Sequence, residues 1–577
     1  MQRSNDGQAF RRVTLVAAGI AALCMALAFA LAPKGVPSPL DNSLARYLFV
    51  HQDLPFGLVV TVLWLLVFWR PSFSNGAPQA PRSSFVALTS AAAMVLLCWG
   101  GARSITERYD FSRDEQMASF DAIIFAGGKL FATIPAAARA TAAMFNQTFI
   151  LPIGDHEAWV SAYLPMNAAI RAIFLMLGDA RLEGPTLVGL GALALWRISV
   201  QLWPRSPASQ IVALTLYVGS SQIWLTAMTA YAMTAHLALN LIWLWLFLKD
   251  RRWSHAAAIA VGGVATGLHQ PVFHPLFIMP FLIMLAATKR WRLLTLYSLA
   301  YTAIGLFWLG WPLWISAHGT APAAISHTVH GVGYGERLLH IAAGFRPDGV
   351  GMMAANLIRF VTWQHLLLVP LAGFGAYKGW KADPLIRALV LGLIFPVFFL
   401  LIIMPYQGHG WGYRYLHGVI GNACLLGGYG WCRLESKTCV PARAMIAATI
   451  ASLAIALPLH ALMVHQMVAP VAAAAAARDA AGADYVVVDD TAAPFAQDLV
   501  INRPALDNRP LILSGSVVSV QTLSDLCRHG SVAFMDASRL GGLSRAFGGQ
   551  APKPTPAYAG LEEAARAVGC RVAAIPE

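Results

Sequence analysis

From Val13 to His465 the sequence passes through one apolar run after another, many of them followed by a cluster of Lys and Arg. A run of about 20 apolar residues is long enough to cross the hydrocarbon of a bilayer. There every backbone polar group must be satisfied inside the segment, which restricts continuous apolar runs of this length to α-helices. The chain therefore reads as an α-helical polytopic membrane protein. The spans expected are Val13–Ala32, Leu54–Trp69, Phe85–Gly101, Gly184–Trp203, Ser209–Ser221, Ala227–Leu248, His255–Leu268, Val272–Ala287, Leu293–Ala317, Asn356–Tyr377, Leu385–Met404, Tyr415–Cys432 and Met445–His465, about 13 transmembrane helices in all. For the first, the competing reading is a cleaved signal peptide; the Ala-Pro-Lys-Gly-Val-Pro that follows is a poor cleavage site and favours a retained helix.

Composition agrees: 57% of the residues are hydrophobic and 12% charged. The net charge of +13 would suggest nucleic acid in a soluble chain, but here the basic residues punctuate the apolar runs and act as topology signals, so no nucleic-acid partner is expected. Lys249, Arg251 and Arg252, then Lys289, Arg290 and Arg292, then Lys378, Lys381 and Arg387, then Arg433, Lys437 and Arg443 fall on the side of Arg3, Arg11 and Arg12. The amino terminus is expected in the cytoplasm of an inner (plasma) membrane multi-pass protein. Reading Trp159–Leu177 as a further span would reverse every later cluster, so the region Ala122–Glu183, studded with charge, is expected as amphipathic helices at the membrane surface. Asp114, Glu115, Asp155, His156, Glu157 and Arg414 then share the outer face.

Four regions follow: three spans over residues 1–101, an outer loop with an Asp-Glu pair over 102–183, a transmembrane core over 184–468 with an outer loop at 319–351, and a small soluble α/β domain over 469–577. The last is signalled by the strand-like Asp484–Asp489, by Leu511–Leu513 and by Gly560–Val568. Parity puts it outside, in the periplasm. It holds Cys527 and Cys570, which read either as a disulfide or as two reduced core cysteines.

The polar stretch Tyr109–Asp121 is the first after three apolar runs. Ser112 and Glu115 have capping-box spacing, so a helix is expected to start here, with Asp114 and Glu115 in its first turn. The pair then either only closes a helix terminus or supplies chemistry at the membrane surface.

Four motifs carry a resemblance to a known family. They are Asp114-Glu115, the segment Trp159–Asn167 with Tyr163 at its centre, the turn Gly267-Leu-His-Gln-Pro271, and Gly412-Tyr-Arg-Tyr415. In this order and sidedness the chain resembles the GT-C superfamily of integral-membrane glycosyltransferases, bacterial enzymes that use a polyprenyl-phosphate sugar and include protein mannosyltransferase-like and aminoarabinose transferase-like members. Met166-Asn167 stands where relatives have Pro-Gly, and His269-Gln270 where they often have Thr-Arg. The resemblance implies transfer of a sugar from a polyprenyl-phosphate donor to an envelope lipid, glycan or protein acceptor on the periplasmic face. Asp114 would be the catalytic base with Glu115 as its neighbour, and Arg414, Tyr415, Tyr163, His269 and Gln270 would bind substrate.

The chemistry is coherent with those residue types. Attack by a hydroxyl on an anomeric carbon needs a carboxylate to take the proton and a cation to neutralise the departing phosphate, and guanidinium matches phosphate oxygens in pairs. Asp155, His156 and Glu157 offer metal-ligating atoms and, with Asp114, a possible divalent metal site; solvated loop charge is the plainer alternative. His269 and His274 flank Pro271 and read as ligands or as satisfied buried rings. The loop Ala317–Gly344, with His318, His327, His330 and His340, suits a mobile cover. Two other classes remain open, a membrane transporter of a lipid-linked or polar substrate and an inactive scaffold of the same fold. A transporter should show internal repeats, and none is visible.

Overall fold

The computed structural model describes residues 2–32, 43–69, 82–146, 148–318, 347–407, 410–435, 442–546 and 549–576. Of the expected loop at 319–351, residues 319–346, with His327, His330 and His340, lie outside the described residues, and 347–351 open a helix instead.

The apolar runs form helices. Among the described residues, seven helices are long and apolar enough to cross a membrane, including Asp6–Leu31, Ser83–Ser104, Trp291–Ser316 and Pro384–Ile403, and the shorter apolar helices Pro207–Val218, Met233–Leu248 and Phe273–Ala287 accompany them. Leu299, Leu306 and Phe307 on the Trp291–Ser316 helix are exposed, as an outward apolar face requires in lipid. The chain is a polytopic α-helical membrane protein with a small carboxy-terminal α/β domain.

Close helix approach is set by glycine: a Cβ at Gly375 or Gly430 would collide with the backbone of the facing helix, which lets Leu368–Gly379 lie directly on Ile420–Glu435. The expected span Asn356–Tyr377 is not continuous. It is broken between Pro347–Thr362 and Leu368–Gly379, where side chains satisfy the freed backbone and one another: His365 Nδ1 accepts from Leu367 N at 3.1 Å, and Gln364 donates to Gln222 Oε1 at 2.9 Å. The residues at Ala227–Ala232 likewise form a turn, and the helix begins only at Met233.

The region Ala122–Glu183 departs from the expectation of amphipathic helices alone. After the helix Arg113–Ala126 come three short strands, β1 (Ala132–Thr133), β2 (Ile150–Ile153) and β3 (Ala158–Ser161), in an antiparallel sheet of order β1-β3-β2; only then does the helix Met166–Met176 follow. The hairpin packs Leu151, Ile153, Ala158 and Val160 against Ile315.

The last of the long apolar helices runs without interruption through Ala442–Ala451, Ser452–Ala456 and Leu457–Asp479. Its segment Arg443–Asp479 is 37 residues long, about 55 Å at 1.5 Å per residue against a core about 30 Å thick. The Ala-rich stretch after Ala469 is therefore the emergent end of this helix, and it carries the α/β domain. That domain is a parallel sheet of β4 (Tyr485–Val488), β5 (Leu511–Ser514), β6 (Val532–Met535) and β7 (Val572–Ala573), ordered β5-β4-β6-β7. Cys527 and Cys570 are joined by a disulfide, with their Cα atoms 5.1 Å apart.

Candidate active site

Ser112 opens the Arg113–Ala126 helix with the capping box its spacing predicts. Its hydroxyl accepts from Glu115 N at 3.4 Å, and Glu115 Oε2 accepts from Ser112 N at 3.2 Å. The other Glu115 oxygen accepts from Ala230 N at 3.2 Å, which pins the turn before the Met233–Leu248 helix. Glu115 is 1% exposed and both its oxygens serve backbone N–H groups, so it positions the site. Burial and the neighbouring Asp110 charge push its carboxyl up to about 8 against those hydrogen bonds.

Asp114 points elsewhere, into a narrow cavity of about 20 Å³ that it lines with Asp121, Tyr163, Asn167, Tyr231 and His269. Arg414 Nη1 donates to Asp114 Oδ2 at 2.6 Å, and the Tyr163 hydroxyl donates to Oδ1. Burial works to raise Asp114, but the Arg414 charge, His269 and the Tyr163 hydrogen bond outweigh it and hold the carboxyl at about 2. Asp114 is thus an anion clamped from both sides. Burial and the Asp114 charge push the Tyr163 phenol up, so it stays a donor.

Arg414 stands between two cavities. Its guanidinium lies over the rings of Tyr231, at 5.5 Å, and Tyr415, at 5.1 Å, and its backbone N–H donates to Gln407 Oε1 at 2.9 Å. Beyond it a second cavity, also about 20 Å³, is lined by His236, Asn240, Phe273, Tyr415 and Gly418. Each is about the size of one water.

Two of the four motifs meet through their backbones. Leu164 N donates to His269 O at 3.3 Å and Met166 N to Gly267 O at 2.9 Å, which joins the Tyr163 segment to the Gly267–Pro271 turn. Asn167 donates to Ala230 O at 3.0 Å, the residue whose N–H Glu115 holds. The His269 ring stacks on Tyr163 at 4.2 Å. Among the described residues neither nitrogen of His269 nor of His236 has a hydrogen-bond partner, although the two are 8% and 3% exposed. Buried polar atoms without partners cost about 1–3 kcal/mol each and point to a polar ligand or water. His274 is different: Asn240 at 2.7 Å and Tyr301 at 2.8 Å satisfy both its nitrogens, so of the pair flanking Pro271 only His269 faces the site. Gln270 is half-buried and makes no hydrogen bond among the described residues.

Asp155, His156 and Glu157, the candidate metal ligands, lie in the turn between β2 and β3. The pairing of Ile153 with Ala158 makes these residues the tip of the β2–β3 hairpin, with Asp155 and His156 exposed and His156 at φ 53°. Among the described residues no three His, Cys, Asp or Glu side chains converge to hold a metal.

Asp121, His236, Asn240 and Tyr231 had not been singled out from the sequence. Asp121 was legible: seven residues after Asp114, it falls on the same helix face. Its Oδ1 accepts from Ser161 N at 2.9 Å, and burial pushes its carboxyl up to about 8, so one cavity holds an anionic carboxylate and a protonated one.

No family model matches the chain, and no curated protein matches it. It is similar to the crystal structure of ArnT from Cupriavidus metallidurans bound to undecaprenyl phosphate, with 16% identity and a TM-score of 0.41, covering 68% of this chain and 72% of that one. The apo structure of the same protein is similar to a like degree, with 15% identity, a TM-score of 0.40 and the same coverage.

Proposed function

We propose that the chain is an inner-membrane glycosyltransferase that moves a sugar from a polyprenyl-phosphate donor to a lipid, glycan or protein acceptor at the periplasmic face, with the reaction at Asp114 and Arg414. The observation that carries the reading is the part-buried ion pair set between two cavities, each with an unpartnered imidazole on its wall. In the resting pair Asp114, held at about 2, is too weak a base to accept a proton at neutral pH. A donor phosphate entering beside Arg414 competes for the guanidinium. As Arg414 turns to the phosphate oxygens, Asp114 loses its counter-charge while staying buried, and its basicity rises. The acceptor hydroxyl then attacks the anomeric carbon, Asp114 takes its proton, and the bond to phosphate breaks with its electron pair going to the oxygen that Arg414 neutralises. The ion pair is thus both a lock and a sensor for the donor.

Removing the guanidinium tests this order of events. Arg414→Ala should weaken binding of a polyprenyl phosphate, measured by titration in nanodiscs, by about 10-fold or more, as loss of a charge-assisted hydrogen bond to phosphate would. Unchanged affinity would leave Arg414 as an interfacial anchor and remove the phosphate clamp from the account.

A further inference from the structure

A further cavity lies remote from Asp114. It has a volume of about 1020 Å³ and lies between the amino-terminal helix (Gln2–Leu31) and the helices Pro347–Thr362, Leu368–Gly379 and Pro384–Ile403. Along the amino-terminal helix it extends from Gln8 to Cys24, about 24 Å at 1.5 Å per residue. Its polarity is graded. Gln8, Arg12 and Lys378 line one end, and Cys24, Trp64 and Val361 the other. Because the chain crosses to reach Leu31, returns through Leu54–Trp69 and crosses again through Ser83–Ser104, the Arg12 end lies on the face of the bundle opposite Asp114.

The charges at that end do not cancel. Lys378 pairs with Asp6, and its ammonium also lies over the Phe374 and Tyr377 rings, at 5.7 and 5.6 Å. Arg12 is exposed and has no partner among the described residues. Of the described residues lining the cavity, Arg12 and Lys378 alone are charged, so among them the mouth carries one uncompensated positive charge above an apolar trough. An amphiphile with a single negative charge at its head and a hydrocarbon tail complements both features. Basic pockets between transmembrane helices at the cytoplasmic side have this character.

We propose that this crevice binds one anionic glycerophospholipid, its phosphodiester at Arg12 beside Lys378 and an acyl chain laid along the amino-terminal helix. The site is independent of the reaction proposed above.

The test is native mass spectrometry of the full chain, taken from nanodiscs holding equal phosphatidylglycerol and phosphatidylcholine, with Arg12→Glu and Val16→Trp as variants. Val16 lines the trough and is otherwise exposed, so an indole there fills the cavity without displacing a core residue. The wild type should retain one phosphatidylglycerol in preference to phosphatidylcholine. Arg12→Glu should lower that occupancy roughly tenfold, and Val16→Trp should abolish it. Equal retention of the two lipids, or Arg12→Glu binding like the wild type, would overturn the proposal, and Arg12→Glu decides it even if Val16→Trp fails to fold. A photocrosslinker at Ile20 that captured residues 33–42 of the chain in place of lipid would also overturn it.

Discussion

Ser112, Asp114 and Glu115 occupy one helical turn and do three different things. Ser112 and Glu115 were legible as a capping box because the motif is local: four consecutive residues contain both halves of it. That Glu115 also reaches Ala230, and that Asp114 meets Arg414 across 300 residues of sequence, depends on packing that no local pattern encodes. The same holds for the unpartnered ring of His236, which reads in sequence as one more polar residue in a span. Glu115 yields a pH prediction. Its carboxyl titrates at about 8 in the fold against 4.5 when unperturbed, so the folded state keeps the proton over that interval and stability falls as pH rises through it. Glu115→Gln should flatten this decline, read as melting temperature in detergent between pH 5 and 8. A decline as steep as the wild type's would mean that Glu115 is already ionised in the fold.

The Arg113–Ala126 helix is the element that connects the site to the α/β domain. Asp114 faces the membrane-side cavity, while Arg113 turns into the α/β domain, donating to Gln497 O at 2.6 Å and Val500 O at 3.1 Å and pairing with Asp498 at 3.5 Å. Gln116 adds a bond to Asp498 O at 2.9 Å, and Trp159 of β3 donates to Pro504 O at 2.8 Å. Arg113 and Asp498 are each 5% exposed at the side chain, so removing one leaves the other as a buried group without its partner. Arg113→Met should cost about 3–5 kcal/mol, seen as faster proteolytic release of the domain or as its separate melting. A domain as firmly seated as in the wild type would show that the Gln116 and Trp159 contacts suffice. The helices of this layer were foreseeable from apolar periodicity, but its small sheet was not. Strands of two to four residues, one with Pro152 inside it, fall below the length at which alternation is distinguishable from an irregular loop.

At the scale of the whole molecule, the apolar runs and their basic punctuation made the membrane class and the position of most helices legible, since burial in lipid selects long uninterrupted hydrophobic segments. The break at Gln364–His365 was hidden because polar residues of one span are satisfied by others distant in sequence, Gln222 and Thr449 among them. The Asp114 site and the α/β domain lie against one another at one end of the bundle, so a single sidedness governs both. A reporter or cysteine-accessibility map should place Asp489 opposite Lys249; finding them together would refute the periplasmic site. The claim on which the rest depends is that Asp114 accepts the proton in sugar transfer, and the most direct test compares transfer from a polyprenyl-phosphate donor by the wild type, Asp114→Asn and Ser112→Ala in nanodiscs. Asp114→Asn should lower turnover by about 10²–10⁴-fold with the fold intact, and Ser112→Ala should lose about 0.5–2 kcal/mol of stability while transfer largely persists. Full turnover by Asp114→Asn would contradict the account.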